Sequence, residues 1–225
     1  AAPYSDVYGN PATLSSTWNT APEDARVTNQ WSRDFFGGDL KGIRDELDYL
    51  KRMGVTAIYL NPIFAAPSNH GYDTTDYYKV NPRYGTNAEF QQLAAEANAR
   101  GIKIILDGVF NHTGSDSVYF DRYNRWDVNG NPVTGNDGSG ACESASSPYA
   151  AFYVFTPLAG GPCRGGTATY DSWWGYDTLP LAVDGVPNNA WRDFVFDVNN
   201  NGTNGVNALP SIIQYWYQLG AGGWR

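Results

Sequence analysis

The stretch TNAEFQQLAAEANARGIKIILDGVFNH, residues 86–112, decides the fold. Thr86 and Glu89 have the spacing of a capping box, in which each side chain takes the other's backbone N–H. Behind them Phe90, Leu93, Ala94 and Ala97 recur at three- and four-residue intervals, which predicts one apolar helix face, and Gly101 ends the helix. Ile102-Lys-Ile-Ile-Leu106 follows at once as a short apolar strand and closes on Asp107. A carboxylate at the end of such a strand is costly unless something partners it, so Asp107 is a candidate for chemistry rather than packing.

The same rhythm lies upstream. Ile43, Leu47 and Leu50 stand at helical spacing within Leu40–Met53, and Gly54 stops that helix. Val55-Thr-Ala-Ile-Tyr-Leu60 then predicts a buried parallel strand, closed by Asn61-Pro62. Helix, strand, loop, helix and strand make the βαβ unit of a parallel sheet or (β/α)8 barrel. The rhythm breaks across 111–198, a turn-rich stretch with Asn129-Gly130, Asn136-Asp-Gly138 and Gly160-Gly-Pro162, which reads as an irregular insertion after a strand. A helix over Ala208–Leu219, with Pro210 in its first turn, resumes the pattern, and Gly222–Arg225 opens another strand. Four segments result: an irregular stretch 1–36, a barrel segment 37–110, the insertion 111–198, and a returning helix and strand edge 199–225.

Composition narrows the partners. The net charge of −8 repels a polyanion, so nucleic acid is excluded and a neutral or cationic ligand is favoured. The longest apolar runs hold about six residues against the roughly 20 a membrane span needs. Aromatic residues make up 15% of the chain, and they serve either as core or as flat faces for stacking on sugar rings. Cys142 and Cys163 lie in the turn-rich insertion without metal-ligand spacing. They are either two free thiols or a disulfide stabilising an extracellular protein by about 3 kcal/mol.

The two histidines, His70 in Asn69-His-Gly-Tyr-Asp73 and His112 in Asp107-Gly-Val-Phe-Asn-His112, both lie in loops just past strands, beside a carboxylate and an aromatic. That edge is where barrels build active sites. Asp107–His112 resembles the first conserved region of the α-amylase family, glycoside hydrolase family thirteen. Gly223-Trp-Arg225 resembles the opening of its second region, and Asn69–Asp73 the loop whose Tyr stacks under the sugar at the cleavage point. Gly37-Gly-Asp39-Leu-Lys-Gly42 is similar to the approach to the first barrel helix. Trp173-Trp174 with Tyr176-Asp-Thr-Leu-Pro-Leu181 is similar to the neopullulanase and amylopullulanase branches.

The resemblance implies an α/β fold: part of a (β/α)8 barrel with an irregular domain B inserted after strand three. It implies an endo-hydrolase of α-1,4 and α-1,6 glucans that retains configuration, through a nucleophile and an acid about 5 Å apart. Tyr72, His112 and His70 would contact sugar, Arg225 would orient the nucleophile, and Asp107, with Asp73 nearby, would brace Arg225. Asn111, Gly37 and Asp39 match calcium positions of some members. The nucleophile is expected two positions beyond Arg225, so this segment is expected to be inactive alone and to need a complementary segment of the same protein. A disulfide and a secreted location fit the same reading. The alternatives are a cyclodextrin-forming transglycosylase and a non-catalytic amylase-like ectodomain. Two further loops, Asp127–Asn131 and Asp197–Gly202, alternate oxygen-bearing side chains and read as turns or calcium loops.

Overall fold

The computed structural model describes residues 38–157, 163, 168–183 and 189–225. They form two compact units, and the chain passes between them more than once. The first holds the described residues up to Tyr72, with Lys79–Gly108 and Tyr217–Arg225; the second holds Asp73–Tyr78 and Val109–Trp216.

In the first unit, β1 (Ala57–Tyr59), β2 (Lys103–Leu106) and β3 (Gly223–Trp224) form a parallel sheet in the order β1-β2-β3. Tyr59 is in register with Ile105, and Ile105 in turn with Gly223. The ladder runs past the strand ends: Leu60 N–H donates to Ile105 O at 2.9 Å, Arg225 N–H to Leu106 O at 2.9 Å and Gly108 N–H to Arg225 O at 2.8 Å. These bonds fix Asp107 and Arg225 on neighbouring strand ends.

Helix α3 (Asn87–Ala99) packs on β2. Both halves of its capping box form, and Phe90, Leu93, Ala94 and Ala97 are its buried residues. Burying side chains of the size of Phe90 and Leu93 stabilises by about 2 kcal/mol each. Gly101 turns at φ +73 and lets Ile102 drop into the core.

Three sequence expectations need correction. The helix expected over Leu40–Met53 is two, α1 (Leu40–Asp45) and α2 (Leu47–Arg52), because Glu46 leaves helical geometry at φ −96°, ψ 3°. The strand over Val55–Leu60 is shorter and not buried: Ala57 and Tyr59 are exposed, and among the described residues β1 has a hydrogen-bonded neighbour on one side only. The helix expected from Ala208 begins at Ile212 as α5 (Ile212–Gln218), because Ala208 sits at φ +59° and Ser211 Oγ caps Gln214 N–H.

The second unit is held by aromatic rings. Tyr119 meets Tyr149 and Phe194 at 5.3 and 5.2 Å, and Phe152 meets Trp191 and Phe194 at 5.2 and 4.9 Å. Trp191 and Phe194 come from α4 (Ala190–Phe196), a short helix inside the stretch read as irregular. Buried hydroxyls are satisfied: Tyr77 donates to His112 O at 2.8 Å and Tyr149 to Val128 O at 3.0 Å. Among the described residues no helix is long and apolar enough to cross a membrane.

Candidate active site

In the first unit a polar cluster forms where the parallel strands end. Asp107 is 8% exposed, and its Oδ2 accepts from two phenols, Tyr59 and Tyr72, the latter at 3.3 Å. The Tyr59 hydroxyl also accepts from Arg225 Nη1 at 2.9 Å, and the guanidinium lies over the Tyr59 ring at 5.0 Å. Arg225 thus reaches Asp107 by way of Tyr59, where direct bracing is the sequence expectation. Tyr59 is the residue that sequence reasoning misses. Its place at the carboxyl end of β1, the edge on which barrels build their sites, is the signal that could have found it.

The protonation states follow from these contacts. The hydrogen bond to Asp107 pushes the Tyr59 hydroxyl above the usual phenol range and keeps its proton in place. Loss of solvent, followed by the Asp107 charge, does the same for Tyr72. Tyr59 in turn raises Arg225, so the guanidinium remains charged.

The loop that presents Tyr72 is built locally. Gly71 turns at φ +74°, and a Cβ there would meet Pro62 O at 2.9 Å, so the chain passes only with glycine. His70 Nδ1 accepts the Tyr72 N–H at 3.1 Å, and the two rings stack at 5.8 Å. His70 is exposed and Tyr72 keeps 39% of its surface open.

His112 and Asp73 belong to the second unit. His112 is 3% exposed, bridges to Leu181 and stacks on Trp173 at 5.4 Å. Asp73 is half-buried, and its carbonyl lies where a Cβ on Gly114 would come within 2.5 Å. Cys142 and Cys163 lie with their Cα atoms 5.3 Å apart, inside the range a disulfide spans.

The residues singled out for calcium fall in different surroundings. Gly37 lies outside the described residues, Asn111 is exposed, and Asp39 caps α1 by accepting Gly42 N–H at 2.6 Å. The two oxygen-rich loops are turns: Asp127 accepts Asn129 and Asn131 N–H, and Asp197 accepts Asn201 and Gly202 N–H. Among the described residues no three His, Cys, Asp or Glu side chains converge as metal ligands.

Comparison with known proteins bears on this arrangement. Residues 11–225 match the family model described as alpha amylase, catalytic domain. An amylopullulanase of Thermoanaerobacter thermohydrosulfuricus is 41% identical over 96% of the chain, which spans 14% of that protein's length. Neopullulanase 2 of Thermoactinomyces vulgaris is 51% identical over 43% of the chain and 18% of its own length. The solved type III pullulan hydrolase from Thermococcus kodakarensis superposes with a TM-score of 0.64 at 30% identity, covering 96% of this chain and 31% of that one.

Proposed function

This chain belongs to the α-amylase catalytic-domain family, and from that membership we propose that the protein carrying it is a glycoside hydrolase of starch- and pullulan-type α-glucans. It cleaves internal α-1,4 and α-1,6 bonds and retains anomeric configuration. The observation that carries the reading is the half-open Tyr72 ring with its hydroxyl tied to Asp107, at the carboxyl end of three parallel strands.

In this reading the open face of Tyr72 receives a glucose ring, and Asp107 fixes the angle of that face. Tyr59 holds the Arg225 guanidinium from one side by its hydroxyl and from below by its ring. A guanidinium held in this way directs its remaining N–H donors at a carboxylate. Retaining hydrolysis needs a nucleophilic carboxylate and an acid about 5 Å apart. Asp107 is neither, because its Oδ2 takes both phenols. The proposal assigns both roles to other carboxylates of the full protein.

We further propose that Cys142 and Cys163 are disulfide-bonded in a secreted protein; their Cα separation and the turn-rich surroundings support this. Alkylation followed by mass measurement should find both cysteines blocked until reductant is added. For the activity, NMR of the first product released from maltoheptaose or pullulan by the full protein should show the α-anomer. A β-anomer, or no release from any α-glucan, would overturn it.

A further inference from the structure

Two groups of aromatic residues stand out in the second unit. Tyr119, Tyr149, Phe152, Trp191 and Phe194 are buried against one another. Trp173, Trp174 and Tyr176 are 36%, 85% and 59% exposed, yet they form a ring cluster of their own. Trp173 stacks with Tyr176 at 6.4 Å and 29° and lies 5.5 Å from Trp174. Trp173 also stacks with His112 at 5.4 Å.

The cluster sits on a braced loop. Trp173 N–H donates to Leu179 O at 2.9 Å and Leu179 N–H to Tyr176 O at 2.9 Å. Arg122 Nη1 anchors the adjoining Asp177 at 2.8 Å, and the Tyr170 hydroxyl caps the Asp177 carbonyl at 2.6 Å. Trp174 itself is left-handed, at φ +53°, ψ +25°. A bulky residue there is an outlier, and such conformations persist where the surrounding structure over-determines them, commonly at ligand clamps. The loop is bent to hold an indole out in solvent.

We infer that Trp174 and Tyr176, backed by Trp173, form a stacking platform for the glucose rings of an α-glucan. Pyranose rings offer apolar C–H faces to flat aromatic surfaces, and their neutrality suits a chain of net charge −8. Large exposed apolar side chains gathered into one patch mark recognition surfaces. Because the rings are preset by the loop, binding immobilises little of the protein. The inference rests on the α-glucan reading for its ligand, but it is read by binding and not by turnover.

The test is a stopped-flow tryptophan-fluorescence titration of the full protein with maltoheptaose. Trp174→Ala should weaken binding about fivefold, and Trp174→Phe should recover most of the loss. Tyr176→Ala should weaken it as well, which guards against a fold defect confined to the first variant. Thermal melting should be unchanged in all three, since both side chains lie in solvent. Weakened binding in a protein that releases no sugar would leave the platform standing and remove the hydrolase reading. Binding equal to wild type in Trp174→Ala and Tyr176→Ala would overturn the platform.

Discussion

Arg225 is tied to Asp107 through the hydroxyl of Tyr59, which accepts from the guanidinium at 2.9 Å while donating to the carboxylate. The phenol transmits charge by hydrogen-bond polarity: its proton stays on the Asp107 side, so its lone pair faces the cation. The aromatic face beneath the guanidinium adds a second, non-directional attraction.

Tyr59→Phe separates these two contributions, because it keeps the ring and deletes the hydroxyl. In the full protein it should lower kcat/KM on soluble starch about tenfold to a hundredfold, the scale of a lost hydrogen bond to a charged group. KM should move little, since the hydroxyl aims Arg225 and does not bind sugar. Tyr72→Phe should by contrast lose less, as it retains the ring face proposed to receive the sugar. Wild-type kinetics in Tyr59→Phe would show the bridge to be idle.

The contrast between Tyr59 and α3 shows what sequence can carry. The helix was legible because Thr86, Glu89, Phe90, Leu93, Ala97 and Gly101 speak through local geometry alone: a cap, a face and a stop. Asp107 stood out because a carboxylate ending an apolar strand conflicts with its surroundings. Tyr59 creates no such conflict, for a tyrosine in a strand is ordinary, and only the parallel pairing of the three strands brings its hydroxyl within reach of both Asp107 and Arg225. The helix α4 was hidden because seven residues between left-handed Asn189 and Asp197 owe their helicity to tertiary burial of Trp191 and Phe194. The start of α5 was misplaced although Ser211 and Gln214 have cap spacing; Gln214 turns its amide to Asp197 instead of back to the cap.

Close packing makes a second expectation. A Cβ on Gly140 would collide with the Asp121 side chain and lie 2.8 Å from Phe120 O. Asp121 cannot withdraw, since its carboxylate accepts Arg125 N–H and Trp126 N–H at 2.9 Å each. Gly140→Ala should therefore cost about 1–3 kcal/mol and lower Tm by roughly 5 °C. Gly38→Ala, with nothing within 4 Å of the added methyl, serves as the control and should melt as wild type. Equal melting of both variants by calorimetry would show that the Phe120–Asp121 backbone gives way.

Asp116 makes stability depend on pH in a direction opposite to an ordinary ion pair. It is 2% exposed, and Arg125 Nη1 donates to its Oδ2 at 2.8 Å. Burial outweighs that attraction, the neighbouring Asp121 charge adds to it, and the carboxyl is pushed up to about 7. The folded state therefore keeps a proton that the unfolded chain releases near pH 4. Between about pH 4 and pH 7 the unfolded state binds fewer protons, so this group's contribution to stability falls as pH rises. Asp116→Asn removes the ionisation while leaving an oxygen for Arg125. The difference in Tm, variant minus wild type, should become more positive by about 3 °C or more from pH 5 to pH 8. Other carboxylates titrate in both proteins and cancel in that difference. If the variant is instead relatively weakest at pH 8, then Arg125 wins over burial and Asp116 is an ionised partner throughout.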